Sequence, residues 1–586
     1  MRRLSGFAVF CAVLVAVVSA GAAAAFGSDV QLNAGSPLGW FSHNKQNEPG
    51  LAVDQAHPQF VAAGSNDEID VEDCNVGDPT ACPFTPGVGV SGVYLSTNGG
   101  GSFVQPTYQG WTTRQCNNDP RNAVCPGAVG PIGTLPRYYE SGLVSDGDPA
   151  LAFGPQPDGR GGFSYANGSR LYYVNLASNF SSQKRDETFK GAEAIAVSRL
   201  DTQNFGRAIA GDSSAWAAPV IASKQSSTTF SDKEAAWADN AQSSPYFGNF
   251  YVCNTSFRSN GSGAEPILFT RSTDGGATFD GPRQLTAATD NNQTGGRQSC
   301  AIRTDSQGVV YVYYEGFDKQ SGQNVFFQVR SNNGGVNFDR PHIVAQIAEC
   351  GLPDPNTGRF SFDGVGGART DSFPSVDLAN GAPSGNGATN EIVMAWCNGP
   401  TPSVTTANSV ANEQARIQYS TNGGNTFTAA GSASPTTDRP NFPAIAISPD
   451  GTDVYVTYDN FLQPWQPTTA DQRLMQGVVQ HANVNAAGGV APFAELFRAP
   501  TGDARGSSQN GKTAEFLGDY NYAAATNDAG IVAYNDVRGA SDCSAIDQYR
   551  QSIADGNPIP PPSPELQCGL TFGNSDIFGG SFADPS

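Results

Sequence analysis

The chain has 586 residues, and 33 lysines and arginines face 54 aspartates and glutamates for a formal net charge of −21. That sign argues against nucleic acid as a partner, because binding it rests on basic surface, and an anionic substrate would need arginines focused at one point. Sixty-eight glycines, 39 prolines and only 15% charged residues describe an all-β protein rich in turns, with no sustained helical period in the mature part.

In chain order, Arg2 and Arg3, an apolar run from Phe7 to about Ala20, and a tail of small residues read as a secretory signal over residues 1–25. Cleavage there predicts a secreted, extracellular product comprising residues 26–586, with no membrane span, since no later stretch is long enough. Cys11 leaves with the signal, and an even ten cysteines remain. Sequential pairing would join Cys74–Cys82, Cys116–Cys125, Cys253–Cys300, Cys350–Cys397 and Cys543–Cys568 as loop staples in an oxidising compartment. A single domain is expected, and a monomer.

From Glu48 onward one unit recurs: a charged or polar group, a proline or small residue, an apolar strand, a turn, and a second strand rich in Val and Tyr. Its starts lie at Glu48-Pro49, Asp148-Pro149, Asp232-Lys233-Glu234, Cys300-Ala301, Phe373-Pro374, Phe442-Pro443 and Asp519-Tyr520. Seven starts predict a single β-propeller of seven four-stranded blades, with six as the alternative. The ring would close by pairing Val30-Gln31-Leu32 with the C-terminal strand near Asp576-Ile577-Phe578. Three insertions interrupt the units: residues 107–145, the tip at 382–390, and a proline-rich loop at 544–566.

A second signature sits on four of the units. It reads STNGGGSF at 96–103, STDGGATF at 272–279, SNNGGVNF at 331–338 and STNGGNTF at 420–427, with a degraded trace, SRLDTQNF, at 198–205. Ser comes first, Asp or Asn third, glycine fourth and fifth, and Phe eighth, the makings of a tight turn that returns an aromatic ring to the core. These octapeptides resemble the Asp box, or BNR repeat, of sialidase-like β-propellers. DKEAAWAD from Asp232, EFLGDY from Glu515 and NDVR from Asn535 likewise resemble bacterial BNR-repeat proteins often labelled exo-α-sialidase.

The resemblance implies a glycoside hydrolase acting on extracellular glycans or glycoproteins at the mouth of the central tunnel, where the innermost strands begin. A non-catalytic propeller binding glycan or protein is the alternative. Sialidases hold the sugar carboxylate in an arginine triad and add a Tyr nucleophile, a Glu and an Asp. Carried over, Arg297, Arg369 and Arg439 from successive blades would be the triad and Tyr520 the nucleophile, with Glu515 and Asp519 beside it. Asp232, Glu234 and Asp371 would complete the substrate contacts, with Asp67 and Asp70 as nearby acids. The chain departs from the family where Lys45-Gln46-Asn47-Glu48-Pro49 replaces Arg-Ile-Pro. No cofactor is expected: four histidines form no HExxH, although loop carboxylates such as Asp146 and Asp148 suit a structural Ca²⁺. GSSQNGKT at 506–513 matches a phosphate loop letter for letter but lacks the strand and helix that such a loop requires.

Overall fold

The computed structural model describes residues 27–585, apart from 36–38, 75–81, 83–84, 117–125, 224–225, 259–264, 354–359, 362–366, 400–412, 464–465, 467 and 486–488. The expected signal therefore lies outside the described residues.

Seven blades follow one another around a central axis. Their innermost strands are Gln46–Val53, Ala150–Pro157, Thr229–Ala238, Thr294–Thr304, Ser375–Leu378, Pro440–Ile447 and Tyr522–Ala525. Each pairs antiparallel with the next strand in sequence, as Ala235 with Cys253 or Ala444 with Thr457. The seventh blade takes its outermost strand from the other end of the chain: Val30 pairs with Gly579 and Gln31 with Phe578. Around that seam Asn33 Nδ2 donates to Asp576 at 2.7 Å, and Arg538 pairs with Asp29 while lying 3.9 Å above the Phe578 ring.

The core is a set of interfaces between neighbours. Between blades seven and one, Ile531, Ala533 and Ile577 pack on Leu51, Val61 and Tyr94. Between two and three, Tyr172 and Val174 meet Phe250 and Val252, with the Tyr172 and Phe250 rings stacked at 4.0 Å. Equivalent clusters fill every other junction. Innermost strands converge on the axis, which is why they are rich in Gly and Ala: a Cβ on Gly50 would stand 2.4 Å from the Pro149 carbonyl oxygen.

The four octapeptides form one turn, each following the third strand of blades one, three, four and five. In every copy the serine Oγ accepts from the second glycine's N–H at 2.8–3.0 Å and donates to the Asp or Asn at 2.8–2.9 Å. Both glycines have φ between 63° and 87° in all four copies. An arginine of the preceding blade reaches three of these turns: Arg170 donates to the Gly275 carbonyl, Arg271 to Gly334 and Arg330 to Gly423, at 2.9, 2.9 and 3.0 Å.

Four disulfides match the sequential pairing: Cys74–Cys82, Cys253–Cys300, Cys350–Cys397 and Cys543–Cys568. Cys116 is also disulfide-bonded, while Cys125 lies outside the described residues. No helix among the described residues is long and apolar enough to cross a membrane.

Two local readings need correction. The insertion at 544–566 is a loop only in its middle: Ser544–Ala554 is an α-helix, because its prolines begin at Pro558 and Ile546, Asp547 and Arg550 give it a buried face. Residues 198–205 make no glycine turn; they leave strand Ala194–Asp201 through a 3-10 turn into the short helix Phe205–Ile209, which buries Phe205. Residues 107–145 carry a hairpin, Tyr108–Thr112 against Ala128–Ile132. At 506–513 no helix follows, and Lys512 is fully buried with Nζ 3.5 Å from the Cys82 sulfur, so a phosphate could not reach it.

Replacing Ser272 with alanine strips the buried Gly276 N–H of its acceptor and is expected to destabilise the protein by about 1–3 kcal/mol. Urea denaturation checks this; an unchanged midpoint would show that the turn merely decorates the blade.

Candidate functional site

The site begins with a backbone irregularity. In blades one, three, four and six the innermost strand slips register by a β-bulge, between Asn47 and Gly50, Asp232 and Ala235, Gln298 and Ala301, and Asn441 and Ala444. At each bulge a non-glycine residue has positive φ: Glu48 (57°), Lys233 (56°), Ser299 (55°) and Phe442 (49°); Asp148 (51°) shares it in blade two. Such a backbone costs about 1–3 kcal/mol per residue. A bulge re-aims a side chain. Here it helps set Glu48, Asp148 and Lys233 along one mouth cavity of about 620 Å³.

Asp519 is the centre of that mouth. Lys233 Nζ donates to its Oδ2 at 2.6 Å, and Arg369 forks onto it with Nε at 2.6 Å from Oδ1 and Nη2 at 2.8 Å from Oδ2. The same Nη2 lies 3.7 Å from Glu48 Oε1, so one guanidinium faces two carboxyls, and Phe516 supports it from 4.9 Å. Asn66 links the next two acids, donating to Glu48 Oε2 at 2.5 Å and Asp148 Oδ1 at 3.2 Å.

The two carboxyls under Arg369 are pushed apart. Burial would raise Asp519, but Lys233 and Arg369 outweigh it and hold the group below the usual range, as an anion. Glu48 is driven well above that range by burial first, then by the charges of Asp148 and Asp519. Burial opposes the charge on Lys233, yet Asp519, Asp232 and Asp148 raise it well above its ordinary value. Asp232 and Glu234 are raised mainly by burial, and neither oxygen of Glu234 has a hydrogen-bond partner. Asp371 is raised well above its range by burial, then by Glu349 and Asp519.

Below the mouth lies a second cavity of about 120 Å³, lined by Lys233, Glu234, Asp371, Asp519 and Tyr520. Burial, then Asp148, Glu48 and Glu234, push the Tyr520 phenol well above its usual range, so it is a neutral hydrogen-bond donor. Deeper still is a third, of about 60 Å³. Arg303 lies between these two and lines both. Its Nε donates to Asp377 at 2.7 Å and its guanidinium covers the Trp237 ring at 4.4 Å.

Of the residues singled out in the sequence, Arg369, Asp371, Asp519, Tyr520, Asp232 and Glu234 share these cavity walls. The arginine triad does not form. Arg297 is 1% exposed and spends its guanidinium on Thr294, at 3.0 and 3.1 Å, and on Asp290 at 3.5 Å. Arg439 pairs with Glu413 at 3.3 Å and donates to the Gln463 carbonyl. Glu515 is buried behind the site against Arg473, whose Nε donates to it at 2.8 Å, so it activates nothing at the mouth. Asp67 and Asp70 are structural acceptors: Asp67 takes the Tyr94 hydroxyl at 2.9 Å, and Asp70 takes Arg114 and Thr134 at 2.6 Å each. Asp146 is half-buried, raised by desolvation against hydrogen bonds from Ser178 and Glu193, while Asp148 belongs to the mouth.

Glu48 and Lys233 were visible among the strand-start residues, and the shared Glu-Pro and Asp-Pro starts align them with Asp148. Glu315 and Glu349, which also line the mouth, had no signal: one sits inside a regular strand and the other beside a disulfide.

The fold and the site together define a seven-bladed β-propeller with an acidic central mouth. No protein-family model and no curated protein matches the chain. Among solved structures it is similar to an ulvan lyase of polysaccharide lyase family 25, at 12% identity over 86% of this chain and 93% of that one, with a TM-score of 0.41. The intramolecular trans-sialidase of Ruminococcus gnavus matches at 12% identity over 72% and 93%, with a TM-score of 0.38. A Hadza microbial sialidase matches at 12% over 74% of this chain, with a TM-score of 0.36, and the chain spans 65% of its length. Likeness at this level gives no residue a role.

Several buried carboxyls outside the mouth are raised above the usual carboxyl range, chiefly by burial: Asp576 to about 6, Asp239 and Glu391 to about 7, and Asp73 to about 8. Unfolded, such groups titrate near about 4, so between about pH 4 and 8 the folded state binds more protons and stability falls as pH rises. Asp519 has the opposite sign: its contribution is present above the unfolded value and is lost only on stronger acidification. The urea midpoint is expected to be higher at pH 5 than at pH 8, and Glu48→Gln to narrow the difference by stabilising the pH 8 state. A midpoint that climbs towards pH 8 would contradict this.

Proposed function

We propose that the protein is an exported, sialidase-like propeller that hydrolyses glycosidic bonds in extracellular glycans, working as a monomer at its central mouth. The observation that carries this reading is the pair of carboxyls facing one guanidinium, with Asp519 pushed below the usual carboxyl range and Glu48 well above it. Glycosidic cleavage needs that combination: an acid to protonate the departing oxygen, and an anion to face the positive charge that develops on the sugar ring. Glu48 would pass its proton to the glycosidic oxygen as the C–O bond breaks. Asp519 would stay anionic opposite the ring, Tyr520 would donate a hydrogen bond, and a water adding to the anomeric carbon would return a proton to Glu48. Phe230, Phe257, Phe360 and Phe373 on the mouth wall suit the apolar faces of a sugar, and Gln298 and Asn324 suit its hydroxyls.

The substrate is a neutral glycan rather than a sialoside. Lys233 and Arg369 are both committed to Asp519, two of the three candidate arginines lie elsewhere, and no other cation among the described residues lines the mouth to hold a sugar carboxylate. We read the four serine–glycine turns as Asp-box repeats and residues 1–25 as a cleaved signal, and the four disulfides support an extracellular site of action. The closed Lys233–Asp519–Arg369 cluster favours one alternative, a non-catalytic propeller that holds a glycan or glycoprotein without cleaving it.

Sugar release from a panel of neutral glycans and sialosides tests the proposal. Turnover is expected on a neutral glycan and not on sialosides, with Glu48→Gln lowering kcat by about 100-fold or more and Arg297→Ala leaving kcat within a few-fold. No turnover on any glycan, together with array binding that survives Glu48→Gln, would return the protein to the binding class.

A further inference from the structure

One wall of the mouth carries three carboxylates with no cation to balance them. Glu315 comes from the second strand of blade four, Val310–Asp318; Glu349 from the segment leaving that blade; and Asp371 from the approach to the innermost strand of blade five. One oxygen of each lies within 4.8 Å of the others. Among the described residues no lysine or arginine is within ion-pair distance of any of them.

Glu315 approaches both Glu349 and Asp371 carboxyl to carboxyl, and few donors reach the group from outside. Asn324 Nδ2 donates to Glu349 Oε1 at 2.8 Å, the Ser372 N–H to Asp371 Oδ1 at 2.9 Å, and Gln298 Nε2 approaches Asp371 Oδ2 at 3.5 Å. Glu315 is only 6% exposed, and its Oε2 has no hydrogen-bond partner. A buried carboxylate oxygen without a donor is costly, and neighbouring carboxylates make it worse; a bound cation removes both penalties.

The frame around the three is rigid. The Cys350–Cys397 disulfide follows Glu349 directly and fastens it to the second strand of blade five, and the Cys350 N–H donates to Ser372 Oγ at 3.2 Å, beside Asp371. Glu315 is held in register opposite Phe326 and Gln298. The third acid therefore reaches the first two through the seam between blades four and five.

We infer that Glu315, Glu349 and Asp371 form a Ca²⁺ site in the wall of the central mouth, tying blade four to blade five. Oxygen-only donors select a hard cation over zinc or copper, since no histidine or cysteine sulfur belongs to the group. The donor set suits calcium over magnesium: Ca²⁺ accepts about six to eight oxygens at about 2.3–2.6 Å in flexible geometry, carboxylates included, whereas Mg²⁺ holds its ligands at about 2.0–2.1 Å, demands a regular octahedron and keeps most of its waters. Three protein carboxylates leave room for water or a sugar hydroxyl to complete the shell. This site stands on its own geometry and does not depend on the mouth being catalytic.

Calorimetric titration of the purified, chelator-treated chain with CaCl₂ at neutral pH tests the site, with thermal unfolding as a second readout. One saturable Ca²⁺ per chain is expected, with a Kd of about 10⁻⁴–10⁻³ M or tighter, a raised Tm, and Mg²⁺ weaker by at least about tenfold. Glu315→Gln should abolish both signals. If that buried variant does not fold, Glu349→Gln, at a half-exposed position, should weaken binding by at least about tenfold while leaving the calcium-free Tm close to the parent. Absence of heat and of any Tm shift at 10 mM Ca²⁺ would overturn the assignment. So would binding undiminished in Glu349→Gln, or equal responses to Ca²⁺ and Mg²⁺ that vanish in moderate salt.

Discussion

Each blade of this protein is a sheet with two apolar faces, and neither can be left in water. Seven twisted sheets set face to face around an axis satisfy that demand only if the ring closes, because an open array would leave two faces bare. Closure rests on a short seam, where Val30 and Gln31 complete the seventh blade and Asn33, Asp576, Asp29 and Arg538 hold the chain ends together. Arginines donated from one blade to the next blade's glycine turn repeat the same task at the rim, where apolar packing thins out. Sheet faces, seam and rim contacts are therefore parts of a single closure.

That closure creates the mouth and also burdens it. Inner strands crowd together near the axis and leave room for Gly and Ala within the blades, so large polar groups are displaced to the strand starts. Bulges with left-handed backbone at Glu48, Lys233, Ser299 and Phe442 accomplish the displacement. Strain of this kind persists only where the surrounding structure enforces it. Charges gathered there must compensate one another: Lys233 and Arg369 fix Asp519 as the anion, and Glu48, buried beside Asp148 and Asp519, is raised well above the usual carboxyl range.

The architecture was legible because its signals are local. A serine, an Asp or Asn, two glycines and a Phe within eight residues specify a turn wherever they occur, and the strand-start pattern gives the number of blades. The site was legible only in part, because an arginine's partner depends on which loop lies within reach of a long side chain. Arg297 meets Thr294 and Asp290 of its own strand entry, and Arg439 meets Glu413 at the start of strand Gln414–Ser420, so three arginines that look equivalent in sequence end in three different places. Glu515 was misplaced for the same reason: Tyr520 lies five residues on, but the chain turns between them and Arg473 takes the carboxylate. The helix Ser544–Ala554 escaped notice because the prolines that follow it dominate the composition of its segment.

Arg303 has a consequence for traffic. Lining both the second and third cavities, clamped to Asp377 and resting on Trp237, it stands where these two chambers meet, so anything passing from one to the other must pass its guanidinium.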